Sequence, residues 1–310
     1  MKLYGVTFTY NESTMIPYVM RYLERMGFDK LIVYDNQSTD NTVELLKKYS
    51  FVEVRTLDTG GSKSNQKIME VKNSVWKEFS KEENAWMFVS DFDEVIYYDG
   101  ILKEYLKAMG DEGYNYLNQD MVQTICEHFP DKDKLVHESC DGGVFWGNTH
   151  IGGCKMTLFK LSDFISITYT PGSHMVKINT KENVHLKSLN NKEIKSFHLK
   201  YIDKDYCLER KHLAKKRRGP EDIRRGFGVQ YERPDSEFLN EWDKMIKASI
   251  NIVDYINGSV CGADGSKCIS GEAVGKDNPI DIINLMYGNT VNVARRNIVK
   301  KRTVIRKYRN

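Results

Sequence analysis

Residues 85–96 read A-W-M-F-V-S-D-F-D-E-V-I, a short apolar run followed by three acids. The five apolar residues at 85–89 have the pattern of a buried β-strand. The acids stand where this strand ends. The position of these acids matters if the strand belongs to a parallel sheet. The residues before 85 predict which kind of sheet it is.

The chain before residue 85 alternates between strand patterns and helix patterns. Three further apolar runs of the β type lie at residues 3–8, 31–34 and 51–56. Between these runs, apolar residues recur at helical spacing at 15–26, 43–46 and 68–79. Strands that alternate with helices predict an α/β fold with a mainly parallel sheet and right-handed crossovers.

Ligands of such sheets bind at the carboxyl ends of the strands. Polar clusters stand at the carboxyl ends of three of the predicted strands, at residues 9–12, 35–38 and 91–94. No G-x-G-x-x-G follows the first strand, and no G-x-x-x-x-G-K-S/T occurs. The glycine-rich loops of dinucleotide sites and P-loop sites are therefore absent from this sequence.

Asp91 and Asp93 are two residues apart, so in an extended chain their side chains leave on the same side. Two carboxylates placed in this way attract a hard divalent cation, Mn²⁺ or Mg²⁺, whose shell is completed by water and phosphate. The alternative is a D-x-D that caps a helix or solvates a turn. The preceding buried strand favours the metal interpretation.

Three motifs in the first hundred residues are T-F-T-Y-N-E at 7–12, Y-D-N-Q-S-T-D at 34–40 and S-D-F-D-E-V-I at 90–96. They resemble those of the GT-A nucleotide-sugar glycosyltransferases, in particular the family 2-like group. G-S-H-M-V at 172–176 and S-F-H-L-K-Y at 196–201, followed by Arg210, resemble bacterial members whose D-x-D continues as D-E. The resemblance covers residues 1–215 and implies a Rossmann-like GT-A fold, with a mainly parallel central sheet flanked by helices.

The same resemblance implies roles for individual residues. Asp93 would ligate Mn²⁺ or Mg²⁺, with Asp91 facing the ribose or a bound water and His198 completing the metal shell. Contacts to a UDP-sugar are implied for Thr9, Tyr10, Glu12, Asp35, Asn36, Lys67, Asp91 and Lys200. The alternatives are strand-end capping for Tyr10 and Asp35, an ordinary surface strand for His198 and Lys200, and an exposed helix face for Lys67.

An inverting transferase needs a carboxylate that takes the proton of the acceptor hydroxyl. In many family 2 enzymes this acid follows a glycine-rich loop, but here Gly152 and Gly153 are followed by Cys154 and Lys155. The remaining candidates are Asp120, placed first, then Glu127 and Asp141, and a solvated surface acid is the alternative for each. Aromatic and polar residues that could contact acceptor or sugar are Trp146, His150, Lys155 and His174, and a core position is the alternative for Trp146.

The charge distribution divides the chain. Residues 295–310 carry eight Lys or Arg and no acid, although the formal net charge of all 310 residues is only +3. A net negative body with a basic tail does not favour nucleic acid as a partner. We predict a catalytic domain at 1–218, with a nucleotide-binding half at 1–100 and an acceptor- and metal-completing half at 101–218. A mostly helical extension at 219–310 would follow, and its basic tail could contact an anionic membrane or pack as a solvated helix.

Other sequence features concern the compartment. No apolar run approaches the length of a membrane span, and no signal-peptide pattern is present. The sequence therefore predicts a cytoplasmic protein. Its tail could make peripheral contact with the inner face of the membrane. The six cysteines are scattered and predict free thiols without a zinc site.

These features together predict a metal-dependent, inverting glycosyltransferase. It would move a hexosyl or N-acetylhexosaminyl group from a nucleotide sugar, UDP-linked, to a glycan or lipid-linked glycan in surface polysaccharide or glycoconjugate synthesis. One alternative is a sugar nucleotidyltransferase, disfavoured by the missing basic glycine-rich loop after the first strand. Another is an inactive GT-A protein that binds nucleotide or glycan.

Overall fold

The computed structural model describes residues 1–140, 142–145, 154–170, 176–189 and 193–257, with the backbone alone at 118–120, 145, 154 and 155. The strands of these residues are β1 Lys2–Thr9, β2 Lys30–Asp35, β3 Val52–Thr56, β4 Ala85–Val89, β5 Glu94–Tyr97, β6 Tyr116–Asp120, β7 Val122–Ile125, β8 Gly142–Phe145, β9 Cys154–Lys160, β10 Phe164–Tyr169, β11 Val176–Thr180, β12 Lys195–Tyr201 and β13 Ile250–Asn251. The α-helices are α1 Ile16–Arg25, α2 Thr42–Leu46, α3 Asn65–Ser74, α4 Leu102–Asp111, α5 Val136–Ser139, α6 Lys204–Lys216, α7 Pro220–Arg224, α8 Asp235–Ala248 and α9 Ile252–Ile256.

The first sheet has the strand order β3-β2-β1-β4-β9-β6. Strands β1 to β4 run parallel to their neighbours in this group, whereas β9 is antiparallel to both β4 and β6. The α/β class and the mainly parallel sheet predicted from the sequence are therefore confirmed. The carboxyl ends of β1, β2, β3 and β4 meet at one edge of this sheet.

Apolar residues fill both faces of the first sheet. Successive residues of a strand point to opposite faces, so Leu3 belongs to a core with α1 and α4, whereas Tyr4 packs with Trp76 and Phe159 on the other side. All five residues of β4 are buried, as expected for a strand covered on both faces. Gly5 allows β1 and its neighbour to pack closely, because a Cβ at this position would lie 2.6 Å from Cδ1 of Leu31.

A second sheet has the order β13-β8-β7-β12-β5. The chain passes from β4 of the first sheet directly to β5 of the second through the turn at residues 90–93. It changes sheet again at Met121, between β6 and β7. The strand-like run that the sequence shows at 114–125 is therefore two strands in two sheets. Strand β12 lies antiparallel to β5, with His198 opposite Glu94, so it runs beside the turn that joins the sheets.

The residues after 218 pack on the body of the protein. Nδ2 of Asn65 donates to Asp222 Oδ2 at 2.8 Å, and the Asn65 N–H donates to Asp222 Oδ1 at 3.4 Å. Trp242 of α8 is buried against Ile125 and Val144. The part of the extension that the structure describes, up to residue 257, is mostly helical, with the two-residue strand β13. The domain boundary after residue 218 stays a prediction, and the basic tail lies outside the described residues.

The prediction of six free thiols is wrong at one pair, because the structure joins Cys126 and Cys140 in a disulfide. The two cysteines are 14 residues apart and belong to no recognisable motif, so the sequence did not indicate the pairing. It arises because the end of β7 and the start of β8 are antiparallel neighbours. Cys207 is free and buried. Among the described residues, no helix has both the length and the apolar character needed to cross a membrane.

Candidate active site

Asp93 lies at the turn between the two sheets and contacts residues from two distant parts of the chain. Its side chain is almost buried, with 8% of the residue exposed. Oδ2 of Asp93 lies 3.4 Å from Nε2 of His198 on β12 and accepts a hydrogen bond of 3.2 Å from Nη1 of Arg210 on α6. The backbone of β12 fixes this arrangement, because Leu199 N–H donates to the Asp93 carbonyl at 2.7 Å.

Arg210 also binds a second buried carboxylate. Its Nη2 donates to Oε1 of Glu12 at 2.7 Å, and Glu12 follows the carboxyl end of β1. We call Glu12, Asp93, His198 and Arg210 the carboxylate–arginine cluster. One guanidinium thus links the ends of β1 and β4, which the sequence analysis placed at the ligand edge of the sheet.

The two carboxylates of the cluster respond differently to their surroundings. Burial raises the pKa of Glu12 to about 7, against the opposing charge of Arg210. Burial alone would also raise the pKa of Asp93, but the charges of His198 and Arg210 outweigh it and hold that pKa below its usual range. Asp93 is therefore an anion at neutral pH. Oε2 of Glu12 is buried and has no hydrogen-bond partner among the described residues.

The backbone at Asp91 and Asp93 is not extended but forms a turn. The backbone N–H of Glu94 donates to the carbonyl of Asp91 at 3.1 Å, which closes a turn at this point. The carboxylate of Asp91 instead forms a salt bridge of 2.9 Å with Nζ of Lys72, whose side chain is only 3% exposed. The charge of Asp91 still acts on Asp93, where it raises the pKa, and the role of the D-x-D in metal binding stays a prediction.

The residues near Asp93 fit a divalent ion only in part. Among the described residues, no group of three or more His, Cys, Asp or Glu is arranged to hold a metal. Asp93 and His198 supply one carboxylate oxygen and one imidazole nitrogen within 3.4 Å of each other. Mg²⁺ is commonly bound through one or two carboxylates, with water and substrate phosphate completing its shell, whereas imidazole more usually binds transition metals. Asp93 supplies one such carboxylate, and the predicted metal site of Asp93 and His198 stays a prediction.

The predicted nucleotide residues at the ends of β1 and β2 hold each other in place. Asp35 accepts hydrogen bonds from Thr9 Oγ1 at 3.2 Å, from the Ser38 hydroxyl at 2.5 Å and from the Ser38 N–H at 3.0 Å. Asn36 Oδ1 accepts from the Thr59 hydroxyl at 2.8 Å, and Asn36 Nδ2 donates to the Ser62 carbonyl. We call Thr9, Asp35, Asn36, Ser38, Thr59 and Ser62 the loop network. It joins the loops after β1, β2 and β3.

The guanidinium of Arg217 stacks on the ring of Tyr10. The guanidinium carbon of Arg217 lies 3.2 Å from the centroid of the Tyr10 ring. Burial lowers the pKa of Arg217, while Tyr10, Asp35 and Glu12 act in the opposite direction. Nε and Nη2 of Arg217 are buried without a hydrogen-bond partner among the described residues.

Two lysines and a tyrosine lie near Asp93. Burial lowers the pKa of Lys200, but Tyr201, Tyr231 and Asp93 raise it more, so the net direction is upward. The nearby charge of Lys63 lowers the pKa of Tyr231, whose ring lies 5.8 Å from Lys63 Nζ. The site is therefore rich in positive charge. Lys67, by contrast, is exposed and pairs with Glu70 at 3.4 Å, which fits the exposed helix face given as its alternative.

The predicted catalytic bases remain predictions. Asp120 ends β6, with its backbone opposite Cys154, and Lys155 pairs with Gln119 in the same ladder. Glu127 lines a cavity of about 370 Å³ together with residues that include Asp203 and Trp242, and this cavity is not lined by Asp93 or His198. Asp141, Trp146, His150 and His174 lie outside the described residues.

Several residues of this site are not predicted from the sequence. Arg210 is quoted above only beside a motif, and Arg217 is not named there. Their helical spacing was the available signal, because Tyr206, Arg210 and Arg217 recur at intervals of four and seven residues along α6 and its C-terminal cap. No local pattern could have paired Lys72 with Asp91 or Lys63 with Tyr231.

Comparisons with known proteins concern the first half of the chain most directly. Residues 4–142 match the family model of glycosyltransferase family 92, which is less than half of the chain. The match confirms a glycosyltransferase domain in these residues, while the family 2-like subgroup stays a prediction. No curated protein matches the sequence.

Solved structures give weaker similarities. S. aureus TarS 1–349 aligns at 20% identity over 52% of this chain and 48% of that one, with a TM-score of 0.32. A putative glucose-1-phosphate thymidylyltransferase from Bacillus anthracis aligns at 10% identity over 51% of this chain and 72% of that one, with a TM-score of 0.29. The chain spans about half the length of the TarS fragment. At these TM-scores neither similarity assigns a function, and the family match over residues 4–142 is what marks the chain as carrying a glycosyltransferase domain.

Proposed function

We propose that the protein transfers a sugar from a nucleoside diphosphate donor, UDP-linked, to a hydroxyl of a glycan or a lipid-linked glycan. The observation that carries this proposal is the carboxylate–arginine cluster at the carboxyl ends of β1 and β4. There a buried aspartate anion meets a histidine and an arginine. The family match of residues 4–142 supports the reaction class but ends before His198 and Arg210.

The chemistry of the donor explains the composition of the site. Glycosyl transfer leaves a nucleoside diphosphate, and its negative charge grows as the glycosidic bond breaks. On this proposal Arg210 and Lys200 stabilise that charge, because Arg210 hydrogen-bonds Asp93 and the charge of Asp93 acts on Lys200. A divalent ion held by Asp93 and His198 would add Lewis-acid stabilisation of the same leaving group. Lys63 lies over the ring of Tyr231, and the charge of Asp93 acts on both residues.

The inverting outcome is part of the proposal and requires a base. The first candidate for this base is Asp120, and the alternatives are Glu127 and Asp141. The product tests the outcome directly, because an inverting enzyme turns an α-linked donor sugar into a β-linked product. A product that retains the donor configuration would contradict this part of the proposal alone.

The acceptor and the place of action are also proposed from the sequence. A hydroxyl of a surface polysaccharide or glycoconjugate intermediate fits a sugar-transfer domain that carries a basic tail. The eight cationic residues in 295–310 would attract an anionic membrane, each by about 1 kcal/mol. On this proposal the protein works on the cytoplasmic side, at the inner face of the membrane.

Asp93→Asn tests the function at its central residue. The amide cannot carry the negative charge that Arg210 and His198 contact, so we expect release of UDP from UDP-sugars in the presence of Mn²⁺ to fall at least about 100-fold. The matched control is Asp133→Asn, whose side chain is 80% exposed and lies elsewhere on the surface. Wild-type turnover in Asp93→Asn, with the control equally active, would remove the assignment.

A further inference from the structure

We propose that Arg217 binds a phosphate group of the donor nucleotide, using Nε and Nη2 as a pair of donors while its guanidinium rests on Tyr10. The inference rests on the proposed function, because it assumes that a phosphorylated nucleotide occupies the edge formed by β1 and β2. It adds a residue from beyond the predicted nucleotide-binding half of the chain.

The position of Arg217 is fixed by its backbone. It caps α6, where its N–H donates to the Leu213 carbonyl at 3.2 Å. Its own carbonyl accepts from Lys63 at 2.8 Å, which ties it to the loop after β3. The next residue, Arg218, is held by the Phe227 carbonyl and by Glu232. The backbone on both sides of Arg217 is therefore anchored, and its side chain reaches back over Tyr10.

The two unpaired nitrogens of Arg217 determine what it can bind. In a guanidinium, Nε and Nη2 lie on the same edge, and their N–H bonds run parallel. Both nitrogens are buried and lack a hydrogen-bond partner among the described residues. Buried donors are costly to leave unpaired, so this edge favours an acceptor with two oxygens side by side. Phosphate has that geometry. A uracil edge does not, because its N3–H donor stands between the two carbonyl oxygens.

The neighbouring carboxylates do not supply that acceptor. Glu12 and Asp35 are close enough to act on the charge of Arg217, yet neither forms a hydrogen bond with it. Oε1 of Glu12 accepts from Arg210, and Asp35 accepts from Thr9 and Ser38. The two acids therefore favour a positive side chain here, while the Nε and Nη2 edge is left for a ligand.

The test compares a nucleotide with the nucleoside that lacks its phosphates. Arg217→Gln keeps a planar polar end but loses the charge and the paired donors. We expect it to weaken UDP binding about tenfold to a hundredfold, measured by titration calorimetry, because hydrogen bonds between charged groups contribute this much. Binding of uridine, measured by ligand-observed NMR, should change less than about threefold. Arg217→Lys restores the charge without the paired donors and should recover only part of the UDP affinity.

Lys216→Gln is the matched control, because Lys216 is exposed at the adjacent position of α6. It should leave the binding of both ligands unchanged. Equal losses of UDP and uridine in Arg217→Gln would overturn the inference, and so would unchanged UDP binding. If Arg217→Gln unfolds, the same comparison in Arg217→Lys decides between these outcomes. A wild-type protein that binds neither UDP nor any other nucleoside diphosphate would instead refute the proposed function, and the inference with it.

Discussion

The loop network and the carboxylate–arginine cluster lie at the same edge of the first sheet, but they satisfy their polar groups in different ways. In the loop network, Asp35 and Asn36 find partners in neighbouring loops, through backbone groups and short side chains. In the cluster, two carboxylates, a guanidinium and an imidazole meet, and they come from the loop after β1, the turn after β4, β12 and α6. The loop network fixes the conformation of the loops, whereas the carboxylate–arginine cluster brings charged side chains together.

This difference separates groups that support the site from groups available to a ligand. Oε2 of Glu12 and two nitrogens of the adjacent Arg217 are buried without partners among the described residues. Native proteins rarely leave such groups unpaired, and those that do often use them in binding or catalysis. The loop network therefore shapes the pocket, and the charged residues on the α6 side are the stronger candidates for contact with phosphate.

Removing Arg210 should produce the largest change, because among the described residues it alone hydrogen-bonds both buried carboxylates of the cluster. Arg210→Met keeps the length of the side chain but leaves Glu12 and Asp93 without their shared cation. We expect a loss of about 2–4 kcal/mol in the free energy of unfolding, measured by urea denaturation, somewhat below the value for a fully buried pair. A loss of turnover should accompany it.

Arg225→Met is the control for Arg210→Met, because Arg225 pairs only with exposed Glu221 among its described contacts and should contribute less than about 1 kcal/mol. Equal stability of the two variants would mean that the cluster does not depend on Arg210. In that case the contrast with the loop network would lose its energetic basis.

The sequence predicted the first sheet well because its strands are local patterns. Apolar runs at 3–8, 31–34, 51–56 and 85–89 became β1 to β4 within one or two residues. The turn that separates Asp91 from Asp93 was missed, because the acids look alike whether the chain is extended or bent. The switch of sheets at Met121 was missed for a similar reason, since both strands share one β-type composition.

The candidate site was predictable only where its residues stand beside a strand end. Asp93 and Glu12 follow β4 and β1, and His198 was named from a resemblance. Arg210 and Arg217 belong to a helix with many cations, and composition does not show which face of that helix meets the sheet. Lys72 and Lys63 depend on contacts between distant segments. Such contacts are a property of packing, not of any local motif.

Because of Glu12, the stability of the protein should fall as the pH rises through the acid range. Its pKa is about 7 in the folded protein, above the ordinary value of 4.5. Between these values the folded protein holds a proton that the unfolded chain has released, so stability falls as pH rises from about 4.5 to 7 and then levels off. The total contribution is up to about 3 kcal/mol. Glu12→Gln should remove this fall.

Thermal unfolding of both proteins from pH 4 to 8 measures the effect of Glu12. The free energy of unfolding of the wild type minus that of Glu12→Gln should decrease as the pH rises from about 4.5 to 7, whichever of the two proteins is the more stable. Other titrating groups, such as His137, contribute equally to both proteins and cancel in the difference. A constant difference across this range would show that Glu12 ionises at its ordinary pKa and that its burial has little consequence.

Asp35→Asn should produce the smallest change of the three and tests the loop network. Asparagine keeps one oxygen for the Ser38 N–H or hydroxyl but loses the charge and the second acceptor that Asp35 offers to Ser38 and Thr9. We expect about 1–2 kcal/mol of destabilisation, with UDP affinity reduced no more than about tenfold. Calorimetric titration alongside urea denaturation separates the two quantities. If Asp35→Asn abolished UDP binding while keeping full stability, Asp35 would be a direct ligand-binding residue, and the loop network would belong functionally with the charged cluster.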